Sequence, residues 1–167
     1  MAILNENLEW SQIIAANPKV GLAFRRVPKK VLLAKNVMLS RFITTESKRL
    51  GIPGNEVFLS PWWTEWVQTV AMLGRFKSVP PRNVVRTKFA ITKDFSRELD
   101  SLAQIILDEP VYAWEGIARH QDDKAVRVTL TGGGTQFYLP SLASDAQGLS
   151  SRVSHLHSFS SIESLDR

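Results

Sequence analysis

The sequence predicts an α+β domain whose strands pair largely antiparallel. Two observations lead there. The chain reads as one helix, then strands with single helices set between them, the order of an α+β fold. Its 167 residues are 44% apolar and 22% charged, enough for one domain with a sizeable core and short for two.

Asn5 to Ala16 (NENLEWSQIIAA) spaces Leu8, Ile13 and Ile14 as a helix does, and Asn17-Pro18 stops it. Lys30 to Leu33 and Val37 to Thr45 read as extended segments, the second carrying Arg41. RLGIPGNE (Arg49 to Glu56) is a loop by its turn chemistry, and Glu56 to Ser60 a compact strand. Pro61 suits the first turn of a helix, so WWTEWVQTVAML (Trp62 to Leu73) is expected to be one amphipathic helix. After Pro80-Pro81, Asn83 to Thr92 alternates like a half-buried strand. Ser96 to Leu107 puts Leu99, Leu102, Ala103 and Ile106 on one helical face, with Asp94 or Ser96 as its cap. Pro110 to Ala118, Ala125 to Leu130 and Gln136 to Leu139 complete the strands. From Ser141 onward nine of 27 residues are serine, which reads as a polar tail, mostly disordered or docked late. The domain organisation expected is therefore 1–36, a helix and basic lead-in; 37–142, the core; and 143–167, the tail.

Without cysteine, the chain has no disulfide, zinc-thiolate site or thiol nucleophile. No apolar run approaches the ~18 residues that span a bilayer, and MAILNENLEW lacks a signal-peptide pattern, so a soluble chain with no membrane partner is expected. Charge is unevenly placed. Residues 1–93 hold 15 Lys and Arg against 5 acids, and residues 94–167 hold 6 against 11, so the halves carry +10 and −5. A basic first half attracts anions: a phosphate-bearing molecule, an acidic partner or nucleic acid. Its densest stretch is FRRVPKKVLLAK, Phe24 to Lys35, which also reads as a solvated face.

Three residues on strands or at their ends stand out. Arg41, in an apolar strand, is costly to bury unless its guanidinium meets an anion or a salt-bridge partner. Ser60 ends a strand before a proline, placed to cap the next helix or touch a ligand. Gln136 follows three glycines, Gly132 to Gly134, which mark either a plain tight turn or a close approach of the backbone. Its amide both donates and accepts, so it is able to read a hydroxyl.

An arginine, then a serine, then an acidic or amide residue on successive strands resembles the ADP-ribosyltransferase-like folds that consume NAD. The motifs are SRF (Ser40 to Phe42), NEVFLSP (Asn55 to Pro61), RFKSVPP (Arg75 to Pro81), EGIARHQ (Glu115 to Gln121) and GGGTQFYLP (Gly132 to Pro140). They are most similar to the NAD glycohydrolase toxin branch typified by tuberculosis necrotizing toxin, whose late motif carries glutamine. WWTEW (Trp62 to Trp66) departs from that pattern, replacing a smaller loop, and His120 has no counterpart in it.

The resemblance implies an ADP-ribosyltransferase-like fold with a split, mostly antiparallel sheet and inserted helices. It implies NAD as the substrate, no metal, and hydrolysis to ADP-ribose and nicotinamide. In the site it implies, Arg41, Gln136 and Glu115 are catalytic, and Arg41, Ser60, Trp62, Trp63, Gly133, Gly134 and Thr135 bind NAD. Cleaving the nicotinamide–ribose bond passes through an oxocarbenium-like state that needs positioning and control of water. Glutamine is no general base, so hydrolysis is favoured over transfer, and Glu115 supplies a base if it faces the cleft. Transfer of ADP-ribose to a protein or nucleic acid, and a non-enzymatic nucleic-acid-binding domain using the basic half, remain the alternatives. A toxin of this kind acts in the cytoplasm of its producer or of a target cell after delivery, and implies a neutralising immunity or antitoxin protein.

Overall fold

The computed structural model describes residues 2–43, 61–91, 101–142 and 151–158. Helix α1 (Trp10–Ala16) leads into a 3₁₀ helix (Pro18–Ala23), then β1 (Lys29–Leu33), β2 (Met38–Ile43) and β3 (Trp62–Glu65). Helices α2 (Trp66–Arg75) and α3 (Pro81–Phe89) follow, then β4 (Ser101–Leu107), β5 (Val111–Ile117), β6 (Gln121–Asp123), β7 (Val128–Leu130), β8 (Thr135–Tyr138) and β9 (Ser151–Ser158). Seven strands form one sheet in the order β1-β5-β8-β3-β2-β4-β9, each neighbouring pair antiparallel, and β6 and β7 make a separate hairpin.

The sheet is joined at its middle by four residues. Strand β3 pairs with β8 through Trp62 and Trp63 and with β2 through Thr64 and Glu65. The β1-β5-β8 and β2-β4-β9 halves thus meet along one short strand whose two ends serve different neighbours.

Alternation sorts the side chains onto two faces. One, the core face, holds Leu33, Leu39, Trp63, Ile105, Leu107, Val111, Ala113, Phe137 and Leu139 in a single buried cluster drawn from strands and adjoining loops. The other is covered by helices. Ile13 and Val20 from α1 and the 3₁₀ helix pack on Trp114, Trp62 and Tyr138. Leu73, Val84 and Val85 from α2 and α3 pack on Phe42 and Leu102.

Four segments differ from the sequence reading. The expected helix over Trp62–Leu73 begins as a strand, because two adjacent tryptophans reach opposite faces only on extended chain. Trp63 enters the core face, while Trp62 stacks edge-on with Tyr138, centroids 5.0 Å apart, on the helix face. The expected strand over Asn83–Thr92 is helix α3: Pro81 starts it, and the consecutive burial of Val84, Val85 and Arg86 fits no period of two. The expected helix over Ser96–Leu107 is β4 from Ser101. It lies between β2 and β9 with buried residues on both faces, and an apolar run buried on two sides has no visible alternation. The serine-rich tail supplies β9 at the sheet's far edge, and β1 from the basic lead-in lies at the near one. Glu56 to Ser60, Asp94 and Ser96 lie outside the described residues.

A triangle of hydroxyls holds the joint. Ser40 Oγ lies 2.8 Å from Thr64 Oγ1 and 3.0 Å from Thr69 Oγ1, which is itself 2.8 Å from Thr64 Oγ1. All three side chains are buried, one each from β2, β3 and the first turns of α2. Thr69→Val keeps the shape and breaks the ring, leaving two hydroxyls short of a partner. It is expected to lower unfolding free energy by about 1–3 kcal/mol in urea titration, with Thr69→Ser close to wild type.

Candidate active site

Strand register decides which predicted residues share a surface. Glu115 pairs with Phe137, and Phe137 pairs with Trp63. Ser40 pairs with Thr64, so the next step of that register sets Arg41 beside Trp63, and the Arg41 guanidinium carbon lies 6.0 Å from the Trp63 ring centroid. Glu115, Phe137, Trp63 and Arg41 therefore form one row across the core face. A cation and a carboxylate stand about 14 Å apart along the sheet, three strand spacings, with the buried Trp63 and Phe137 side chains packed between them. Thr135 belongs to the same face, two residues from Phe137 on β8.

Arg41 is the perturbed group of this row. Burial lowers its pKa to about 10, because a guanidinium withdrawn from water is disfavoured in its charged form. Phe42 next to it is buried on the opposite face, and Ser40 is held in the hydroxyl triangle. The Arg41 backbone is thereby clamped on both sides, and its side chain is directed to the Trp63 side.

Gln136 is on the helix face. It pairs with Gly116, next along the helix face to the Trp114–Tyr138 pair that packs with α1. Its Nε2 donates to the carbonyl of Ala23, at the end of the 3₁₀ helix, over 3.1 Å, and the side chain is buried. Trp62 shares that face, between Tyr138 and Phe24, whose centroid is 5.4 Å away. Arg41 and Gln136, which the sequence pattern joins, are separated by the thickness of the sheet. One residue of parity on a strand moves a side chain to the other side. Gln136→Ala is expected to cost about 1–2 kcal/mol of stability, the loss of a hydrogen bond in a buried setting, read by thermal and urea unfolding. Loss of NAD turnover at unchanged stability would return Gln136 to the chemistry.

The glycines have an identifiable task. Gly132 N–H donates to the Thr87 carbonyl and Gly134 N–H to that of Lys88, each over 2.8 Å, satisfying two carbonyls at the open end of α3. Gly133 N–H donates to Ala118 over 2.9 Å. Gly132 and Gly133 both have positive φ. A Cβ on Gly134 would lie 2.6 Å from the Phe89 ring. What passes close to Gly132 and Gly134 is protein backbone and the Phe89 ring. Ser60 lies outside the described residues, and among these no cluster of His, Asp or Glu is arranged to hold a metal.

Sequence reasoning missed the hydroxyl triangle and the buried Trp63–Phe137 pair between Arg41 and Glu115. Thr64 and Thr69 sit five residues apart across a strand-to-helix junction that the pattern of apolar residues conceals. Phe137 lies inside the GGGTQFYLP motif, where its apolar character marks a strand and no role in a site.

No protein-family model matches the chain, and no curated protein matches it in sequence. Among solved structures it is similar to Rhs1-CT, determined in complex with its cognate immunity protein RhsI1, at 14% identity over 79% of this chain and 80% of that one, with a TM-score of 0.52. Tse6, determined in complex with Tsi6, aligns over 90% of this chain and 94% of its own at 13% identity, with a TM-score of 0.47. At such identities the likeness to Rhs1-CT is one of fold, and it extends over about four-fifths of each chain.

Proposed function

We propose that this domain is a toxin-type enzyme that hydrolyses NAD to ADP-ribose and nicotinamide and is neutralised by a dedicated immunity protein. The observation that carries the reading is Arg41, a guanidinium desolvated enough to lower its pKa to about 10, on the same sheet face as the Glu115 carboxylate. A partly buried, desolvated cation gains from a ligand that brings negative charge, and the pyrophosphate of NAD offers a bidentate partner. The ADP-ribosyltransferase-like motifs support the substrate, and the fold shared with Rhs1-CT, solved with its immunity protein, supports the partner.

In this scheme Arg41 holds the pyrophosphate, and the buried Trp63 and Phe137 rings keep water out of the sheet between Arg41 and Glu115. The bond from ribose C1′ to the nicotinamide nitrogen breaks, and its electron pair leaves with nicotinamide. Water adds to C1′, and its proton passes to Glu115. The same carboxylate is able to activate an acceptor hydroxyl or amine, which favours mono-ADP-ribosyl transfer as the second reading.

The test is incubation of the purified chain with NAD labelled in the adenine, following free nicotinamide and the fate of the label. Free ADP-ribose in step with nicotinamide establishes hydrolysis. Label retained on macromolecules establishes transfer. No nicotinamide release, from a chain shown to be folded, sinks the proposal.

A further inference from the structure

We infer that the sheet margin running from Leu22 through Leu32 is the docking surface for an acidic protein partner, engaged by unpaired arginines around exposed aliphatic side chains. This deepens the partner half of the proposed function and leaves its chemistry aside.

The margin is built by the stretch that sequence reading marked as most basic. Beyond β1, the chain stays against the end of β5. Phe24 bridges Ala118, Arg25 N–H donates to Ile117 and Arg119 N–H donates to Ala23, each over 2.9 Å. Residues 23–33 thus form one edge of the sheet. Of its cations, Lys30 is used internally, bonded to the carbonyls of Glu6 and Leu8 at 2.8 Å and paired with Glu9 at 3.5 Å. Arg25, Arg26, Lys29 and neighbouring Arg119 are exposed and have no carboxylate within ion-pair distance among the described residues. Arg25 is held in place, its Nη2 donating to the Thr131 carbonyl over 3.3 Å.

Aliphatic side chains stand exposed along the same edge: Val27 at 78%, Leu22 at 58% and, farther along β1, Leu32 at 50%, with Ile117 at 40% beside Arg25. A purely solvated basic face has no use for these, and a phosphate backbone asks only for the cations. Exposed arginines flanked by exposed apolar groups match the core-and-rim anatomy of a protein interface, where arginine is enriched. The chemistry that complements it is a protein surface of Asp and Glu around apolar or aromatic residues. Buried Pro28 and the adjoining lysines disfavour addition of a foreign strand, so recognition runs through side chains.

The test uses the full chain immobilised for interferometry, with three polyanions of matched charge as probes: a glutamate–tyrosine copolymer, poly-glutamate and single-stranded oligothymidylate. The copolymer is expected to bind at least about tenfold tighter than the other two, a difference typical of one well-seated anchor. Val27→Ser should erase that preference. Arg25→Glu with Arg26→Glu should abolish binding of all three, and Arg75→Glu with Lys77→Glu, at and just past the end of α2, should leave binding unchanged. All these side chains are exposed, so folding is not at risk. Tighter oligothymidylate binding would assign the margin to nucleic acid. An ineffective Val27→Ser, or an Arg75/Lys77 variant as damaging as the Arg25/Arg26 one, would reduce the margin to diffuse charge. Each of these overturns the proposal. The measurement involves no NAD, so a failure here and a failure of the NAD reading are seen separately.

Discussion

Arg41→Ala is expected to lower nicotinamide release from NAD by about 100- to 1,000-fold, the scale on which one preorganised electrostatic group contributes to a transition state. Arg41→Met should be equally inactive, because the stem and its packing survive while the charge is lost. The two variants differ in what they say about folding. Burial favours the neutral guanidine in the native state, so the unfolded chain holds the proton more tightly. The cost of keeping Arg41 charged is fully present below pH about 10 and fades as pH rises above that value. A displacement of that size corresponds to on the order of 3 kcal/mol. Arg41→Met should therefore be at least as stable as the parent at neutral pH, and its advantage should shrink above pH about 10. Urea unfolding of both proteins across that range reads the difference. Wild-type turnover in either variant would remove Arg41 from the site.

The second large effect is on the fold. Gly132→Ala places a Cβ against the Ala118 carbonyl oxygen and 2.9 Å from the Arg119 carbonyl oxygen, at a φ of +67° that L residues seldom adopt. Relief requires moving the turn, which also breaks its bond to Thr87 at the end of α3. The expected loss is about 2–4 kcal/mol, or roughly 5–15 °C in Tm for a domain of this length. Gly133→Ala is the informative comparison. Its φ is also positive, but its nearest neighbour is the flexible tip of Arg25 at 3.4 Å, so strain remains and collision does not. Equal losses in the two variants would mean that backbone strain alone governs this turn.

These two positions show how unevenly the site is written in the chain. Arg41 was legible, since a lone arginine in an apolar strand declares its own cost. The glycines were legible as a close approach, but what they approach was not. The partner is the end of α3, and that segment read as a strand because its valines mimic alternation. The tryptophans were misplaced for a related reason: Trp62 and Trp63 fit a helical stripe as well as they fit two faces of an extended chain. Only the presence of Tyr138 on one side and Phe137 on the other decides between them.

By itself the sequence determined an α+β domain with antiparallel strands, a basic first half, no thiol chemistry and an arginine set in an apolar strand. Composition, turn residues and charge are local properties, and they survive any arrangement of the elements. Tertiary structure alone decided which residues share a face. Side chains alternate with a period of two, so residues on different strands share a face only by virtue of the register between those strands, and register is a property of pairs. That is why Glu115, little marked in sequence, stands in the row of Arg41, while Gln136, carried by the strongest motif, lies beneath the 3₁₀ helix on the other side.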